Sequence, residues 1–136
     1  MIRQKIHIED YDILIHAYYA TTRYYTYEIL NRLYKIGCRG KNLYRAGRNL
    51  SSGELDTGLT FYSPQHREAV MVVGLTSSAA EFYNSLLHEL SHLTAYIAKD
   101  EGLSFTGEDI AYLEGDLALK IFPKIQHLLC DCCRHK

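Results

Sequence analysis

The longest helical pattern in the sequence is residues 78–102, SAAEFYNSLLHELSHLTAYIAKDEG. It opens with a capping box, Ser78 and Glu81, whose side chains can satisfy free amide groups in the first turn of a helix. Gly102 is typical of the residue that follows a helix end. Between these signals, apolar residues recur at helical spacing: Phe82, Leu86, Leu90, Leu93 and Ile97. The pattern predicts an amphipathic helix that ends near residue 99 and packs one side against a core.

Two histidines, His88 and His92, lie four residues apart in the middle of this predicted helix. Residues at i and i+4 project from the same side of a helix, so both imidazoles can bind one metal ion. Glu89 is rotated by about 100° from His88, where it can act on a metal-bound water without being a ligand. Zinc lowers the pKa of such a water to about 7. The segment therefore predicts a Zn²⁺ site with Glu89 as general base for peptide-bond hydrolysis.

The histidine face also admits a simpler interpretation. On a helical wheel His88 and His92 fall on the side away from the apolar stripe, so a role in the core fits them badly. Two solvated surface histidines remain an alternative, which predicts that nothing covers this face. A metal site predicts a cover, and the last helix, expected to begin after a cap at Thr106, offers one.

A zinc site of this class needs a third protein ligand, and glutamates downstream of the histidines are the candidates. Glu101 falls in the turn between the two helices and is the least favoured. Glu114 lies within an apolar arc of the last helix, where a carboxylate needs a partner such as a metal ion. Ala98 occupies the position of the third histidine of metzincins, which excludes that class. Spacing and helix faces leave Glu108 and Glu114 open.

The two helical segments resemble the zinc-binding helices of gluzincins such as thermolysin. From Glu108 the chain reads Glu-x-x-Ala111-Tyr112-x-x-Gly115, and in that family the metal-binding Glu is followed by a small residue, an Asp and a Gly at these positions. Tyr112 replaces the Asp. The chain is also similar in size to minigluzincins and to short HExxH proteins of bacteria and phages. The resemblance covers about residues 57–120 and implies a zincin-like fold, Glu108 as third ligand and zinc metallopeptidase activity.

The rest of the chain predicts strands and helices in an α+β order. Residues 59–62 and 69–73 are β-rich runs joined by a short polar segment, which indicates a hairpin. The other expectations are strands at 5–8 and 12–17, a helix from about 22 to 36, and a loop at 37–57 with one short helix near 43–50. We therefore expect one small zincin-like domain over residues 1–136, with a short β-sheet or hairpin and two long C-terminal helices that carry the metal site.

Composition narrows the classes of partner. The formal net charge is −1, which predicts no nucleic-acid partner for the chain as a whole. No apolar run approaches the roughly 20 residues that span a bilayer, so no membrane association is expected. The first residues are charged rather than apolar, which predicts no secretory signal and a cytoplasmic location. The expected partner is a peptide or protein substrate.

Two further features leave alternatives open. A basic cluster of Arg39, Lys41, Arg45 and Arg48 surrounds Tyr44, and a solvated loop is favoured over a nucleic-acid site because the whole chain is not basic. The tail from His127 to His135 includes Cys130, Cys132 and Cys133, for which a reactive tail without metal is favoured over a second zinc site.

The oxyanion donor and the catalytic competence of the site are also open. Tyr62, Tyr83, Tyr96 and Tyr112 are the tyrosines nearest the motif elements. A zinc-binding partner-interaction protein that does not hydrolyse its target is the alternative to a peptidase. The intact Glu89 argues against it, since binding alone needs no general base.

Overall fold

The computed structural model describes residues 1–134. Within this range the chain forms four strands: β1, Ile2–Ile8; β2, Ile13–Thr21; β3, Gly58–Ser63; and β4, Glu68–Gly74. It also forms four α-helices: α1, Thr26–Lys35; α2, Gly40–Ser51; α3, Ala79–Glu101; and α4, Glu108–Ile125. Single 3₁₀ turns, Arg23–Tyr25 and Gln126–Leu129, precede α1 and follow α4. The fold class is therefore α+β, as the sequence predicts.

The strands form one mixed sheet in the order β1-β2-β4-β3. The β1–β2 and β3–β4 neighbours are antiparallel hairpins, whereas β2 and β4 pair in parallel. The chain crosses from β2 through α1 and α2 before it returns, and β4 then inserts between β2 and β3. As a result β3 and β1 are the two edge strands, and among the described residues one side of β3 has no strand partner.

Alternating side chains divide the core between the two faces of the sheet, because successive strand residues point to opposite sides. Ile15 and Met71 face α3 and α4, whose buried apolar residues join them in one cluster. Tyr18 and Val72 face α1 and α2 in a second cluster. The sheet thus lies between two helical layers, with the HExxH helix in one and the basic helix α2 in the other.

Side-chain hydrogen bonds show which strand each C-terminal helix covers. Tyr62 in β3 donates to Asp100 of α3 at 2.7 Å between oxygens. Lys120 of α4 donates to the His7 carbonyl of β1, and Gln4 of β1 donates to the Lys120 carbonyl. Helix α3 therefore lies along the β3 edge of the sheet, and α4 lies along the opposite, β1 edge.

The predicted ends of α3 are confirmed. The Ser78 hydroxyl accepts from the Glu81 amide at 3.1 Å, and Gly102 closes the helix with φ of 69°. Every residue of the predicted apolar stripe is buried. The hairpin of residues 59–62 and 69–73 is also present, one residue longer at each end.

Two expectations about helices are corrected by the structure. The short helix expected near residues 43–50 is present, but the loop expected over the rest of 37–57 is shorter than predicted, because α2 spans Gly40–Ser51. Thr106 does not cap α4: Gly107 occupies the cap position, while the Thr106 hydroxyl contacts that of Ser104 at 3.3 Å. In residues 1–134 no helix combines the length and the apolar character that crossing a membrane requires.

Candidate metal centre

Helix α3 brings His88 and His92 together on its exposed side. Their Nε2 atoms are 3.2 Å apart, and the two rings meet edge to face with an interplanar angle of 79°. Both side chains are solvent-exposed. Two imidazoles on one helix face could have turned away from each other, but these two bring their Nε2 atoms into contact.

The separation of these two nitrogens matches the requirement of a tetrahedral zinc ion. With Zn–N bonds of about 2.0–2.1 Å, two ligand nitrogens lie about 3.3 Å apart. Without a metal, the same contact is a hydrogen bond from one neutral imidazole to the unprotonated Nε2 of the other. The His88–His92 pair therefore fits two positions of a zinc coordination sphere.

Glu89 lies beside the pair but is turned under the edge strand β3. Its side chain is only 6% exposed, and Oε1 accepts a hydrogen bond from the Thr60 hydroxyl at 2.9 Å. A buried carboxylate needs such a partner to offset its lost hydration. The bond fixes the carboxylate between α3 and β3.

Gly58, two residues before Thr60 on the same face of β3, leaves the space that this carboxylate occupies. A Cβ atom at position 58 would lie 2.8 Å from Glu89 Oε2 and 2.7 Å from the Val72 carbonyl oxygen. Neither approach is possible for a real side chain without movement. Gly58 and Thr60 cannot be recognised from the sequence, since only the packing of β3 across α3 gives them this role.

His88 and Glu89 open into one cleft of about 300 Å³ between α3, the start of β3 and the end of α2. Gly58 of β3 and Asn49 of α2 line it as well. The Asn49 amide donates to the Gly58 carbonyl at 3.0 Å, which ties α2 to the edge strand. The imidazole and the carboxylate are therefore accessible from the same side.

Tyr96 is the tyrosine that lies next to the histidine pair. Its ring stacks on His92, with centroids 6.0 Å apart and an interplanar angle of 21°. Tyr62 is engaged with Asp100, and Tyr112 lies in a separate cleft beside Tyr11 and Asp109. Tyr83 points about 180° away from His92 around the axis of α3, so Tyr96 is the one of the four tyrosines that is positioned to contact a ligand bound at His92.

The structure does not bring Glu114 to the histidines. Its Oε1 accepts from the Thr94 hydroxyl at 3.2 Å. Thr94 points about 160° away from His92 around the helix axis, at 100° per residue. Glu114 and α4 therefore lie on the opposite flank of α3, so the expectation that the last helix covers the histidine face is wrong for this structure.

Glu108 is on that same opposite flank and further away along the axis. Helices α3 and α4 are antiparallel, since Glu114 meets Thr94 and Asp131 meets Ala79 at the start of α3. Six residues before Glu114, Glu108 lies about 9 Å beyond the Thr94 level, towards Gly102. Across residues 1–134, no three His, Cys, Asp or Glu side chains converge as a metal-binding group. The two histidines lie close enough to share a metal ion, but no carboxylate lies beside them as the third ligand.

Gly115 matches the gluzincin motif, where a missing side chain would let the last helix approach the HExxH helix closely, but it does not do so here. A Cβ atom added there would have nothing within 4 Å, so the missing side chain does not allow a close helix contact. The close approach to the HExxH helix is made instead at Gly58. The apolar stripe of α4, Leu113, Leu117, Ile121 and Ile125, is buried in the main core. This burial holds α4 over the sheet rather than beneath the histidines.

The cysteine tail lies apart from the histidine pair, at the start of α3. The Asp131 carboxylate accepts from the Ala79 amide at 2.8 Å. Cys130 and Cys132 are exposed, and hydrogen bonds from Cys133 and Cys132 hold the pKa of the Cys130 thiol below its usual value. His135, the last residue of the second zinc pattern, lies outside the described residues. The described part of the tail does not form a metal-binding group.

The comparisons with known proteins identify no family. The sequence matches no protein-family model, and no curated protein or solved structure is significantly similar to it. Any function must therefore be argued from the geometry of this chain.

Proposed function

We propose that this chain is a zinc-dependent metallopeptidase with a zincin-like domain, in which His88 and His92 bind Zn²⁺ and Glu89 is the general base. One observation carries the proposal: two Nε2 atoms lie 3.2 Å apart on the helix that also holds a buried, hydrogen-bonded carboxylate next to an edge strand. An ordinary pair of surface histidines also fits the uncovered face and the contact between the two nitrogens, but it does not require the buried Glu89 carboxylate on the same helix.

The residues around the cleft have separate roles in this proposal. Bound zinc would supply a water with a pKa near 7 and a positive charge for the carbonyl oxygen of the substrate. Glu89 would accept a proton from that water, and its bond to Thr60 keeps the carboxylate from turning away. Tyr96, stacked on His92, lines a neighbouring cleft that Thr60 of β3 also lines.

The edge strand β3 supports a peptide as the substrate. Within residues 1–134 it pairs with β4 alone, so its outer edge can bind an extended chain as an added strand beyond the Gly58 carbonyl, which accepts from Asn49. Gly58 and Thr60, which contact Glu89, belong to this strand. A peptide added to β3 would therefore run past the general base.

The proposal assigns the third ligand position to Glu108, as the gluzincin resemblance implies. This assignment requires the first turn of α4 to move around α3 when zinc binds. Glu108 is exposed and has no ion pair within residues 1–134, whereas α4 is buried in the core from Leu113 onward, so the movement is confined to the part of α4 before Leu113. The segment before it is also exposed at Ser104, Phe105 and Thr106.

The incomplete ligand set favours one alternative, a zinc-binding protein that engages a partner without hydrolysing it. Two histidines and solvent can hold zinc weakly, and such a site can bridge to a ligand from another molecule. The alternative and the peptidase differ in what they need from Glu89. A bridging site does not use a general base.

Cleavage of an unfolded protein by the zinc-loaded chain tests the proposal. Glu89→Gln should keep the bound zinc and lower the rate by about 10²–10⁴-fold, because the lost group is a base rather than a ligand. Glu81→Gln on the same helix is the matched control and should keep full activity. Equal cleavage rates in wild type and Glu89→Gln would reject the mechanism. Stoichiometric zinc with no cleavage by the wild type would favour the bridging alternative.

A further inference from the structure

The charges of this chain are strongly segregated between the two helical layers. Residues 22–52, which include α1 and α2, contain seven of the fifteen basic residues and only one of the sixteen acidic residues, Glu28. The other 105 residues therefore carry eight basic and fifteen acidic side chains. Although the net charge of the chain is −1, the helical layer on one face of the sheet is positively charged.

Helix α2 arranges part of this charge as a single stripe. Lys41, Tyr44, Arg45 and Arg48 occupy positions i, i+3, i+4 and i+7, which lie on one face of a helix. All four are exposed. The opposite face of α2 packs Leu43, Ala46 and Leu50 against the sheet, so the stripe points directly to solvent.

The cations of this layer lack acidic partners. Helix α2 contains no acidic residue, and within residues 1–134 none of the seven cations of the layer forms an ion pair. The one acidic residue, Glu28, is bound by Arg3 of β1 at 2.6 Å. The positive charge of the seven cations is therefore available to an external anion.

Exposed tyrosine rings accompany the cations. Tyr27 and Tyr34 lie seven residues apart on one face of α1 and are 86% and 52% exposed, and Tyr44 on α2 is 68% exposed. The Arg39 guanidinium lies 3.5 Å from the centroid of the Tyr34 ring. Aromatic rings next to phosphate-binding cations are the elements that single-stranded nucleic acids require, because every unpaired base presents a face for stacking.

We infer that the face formed by α1 and α2 binds single-stranded nucleic acid, with Arg45 and Arg48 on the phosphates and Tyr44 against a base. Arginine binds phosphate oxygens with two parallel hydrogen bonds, and five of the seven cations are arginines. A membrane surface fits less well, since helices that lie in lipid present Leu, Phe or Trp to it and the leucines of α2 face the sheet. This surface is independent of the zinc proposal.

Fluorescence anisotropy with a labelled single-stranded DNA oligonucleotide of mixed sequence tests the inference, over a range of salt concentrations. The double variant Arg45→Ala, Arg48→Ala should weaken binding. The plot of log affinity against log salt, whose slope is negative, should become less steep by about 1.4, or about 0.7 for each lost phosphate contact. The double variant Lys99→Ala, Lys124→Ala removes the same charge from α3 and α4 and should leave the slope unchanged.

Tyr44 separates base stacking from general attraction to an anion. Tyr44→Ala should weaken binding of the oligonucleotide by about 5- to 150-fold, the contribution of one stacked base, while Tyr44→Phe retains it. Equal losses in the two double variants, or no binding at low salt, would overturn the inference. Binding of phosphatidylserine vesicles without binding of the oligonucleotide would overturn it in favour of a membrane surface.

Discussion

Position 58 decides whether Glu89 can occupy its place under the edge strand. Gly58→Ala would put a Cβ atom 2.8 Å from the Glu89 carboxylate and 2.7 Å from a backbone oxygen of β4. The strand or the carboxylate must then move. We expect a loss of about 1–3 kcal/mol in the free energy of unfolding, as for other overpacked sites, together with slower peptide cleavage. Urea denaturation and the cleavage assay measure the two effects.

Gly115→Ala is the matched control for this change. Nothing lies within 4 Å of a Cβ atom at position 115, which is inside α4. Alanine lowers the entropy of the unfolded chain relative to glycine, so this variant should be more stable by about 0.5–1 kcal/mol and keep its activity. Similar losses of stability in both variants would contradict the described contact between β3 and α3.

His16 predicts a pH dependence of stability. It is 4% exposed in β2, and its Nε2 lies 2.7 Å from a Glu68 oxygen. Burial lowers the pKa of His16 below its ordinary value, which the Glu68 bond only partly offsets, while Arg32 and Lys5 add to the lowering. The unfolded chain then binds more protons than the folded chain.

The free energy of unfolding should therefore fall as the pH is lowered below about 6.5, the unfolded value for histidine. His16→Gln removes the titrating group and should flatten this part of the profile. Urea denaturation at a series of pH values measures it. An unchanged slope in the variant would show that another group causes the loss.

At this scale the sequence identifies the residues of one helix but not those that contact it from elsewhere. His88, Glu89 and His92 can be recognised because their geometry depends only on the period of α3. Gly58 and Thr60 cannot, because their role depends on which strand packs across that helix. Tyr96 was one of several tyrosines, and only the stacking on His92 distinguishes it.

The main question about the helices is whether α4 supplies the third zinc ligand. If Glu108 is the third ligand, Glu108→Ala should weaken zinc binding by about 100-fold or more, beyond the 10- to 100-fold effects of residues that only support a ligand. Glu114→Ala should leave zinc affinity unchanged and cost about 1 kcal/mol or less in stability, for its bond to Thr94. Zinc titration of the two variants compares them.

A movement of α4 on zinc binding can be detected by amide hydrogen exchange. Zinc should change amide hydrogen exchange in residues 102–110 of the wild type if this part of the chain moves to the histidines. Full zinc affinity in Glu108→Ala, with unchanged exchange, would show that α4 stays where the structure places it. The two histidines would then hold the metal without Glu108.

Helix α3 and the β3–β4 hairpin could be predicted because their caps, turn and periodicity are local. Helix α2 was expected only near residues 43–50, and its full length was missed, since its Gly, Asn, Arg and Ser residues are typical of loops and its apolar residues are few. The parallel pairing of β2 with β4 depends on contacts between segments far apart in sequence. The position of α4 depends in the same way on which flank of α3 its apolar stripe meets.

At the scale of the whole molecule, the edge strand β3 lies between the two features that point to ligands. Helix α3 presents the histidine pair on one side of it, and α2 presents the basic stripe on the other. A second cleft of about 410 Å³ contains both Arg45 and Tyr96 beside this strand. The two proposed surfaces therefore meet at one edge of the sheet, although each has its own test.

Zinc stoichiometry tests whether His88 and His92 bind a metal ion, because both the peptidase and its non-hydrolysing alternative require zinc at these two residues. Titration of the purified chain should give one zinc per molecule, and the double variant His88→Ala, His92→Ala should bind none. The control His66→Ala, which removes a histidine from the β3–β4 turn, should still bind one. One zinc retained by the double variant would contradict the account and place the metal elsewhere, with the cysteines after residue 129 as the next candidates.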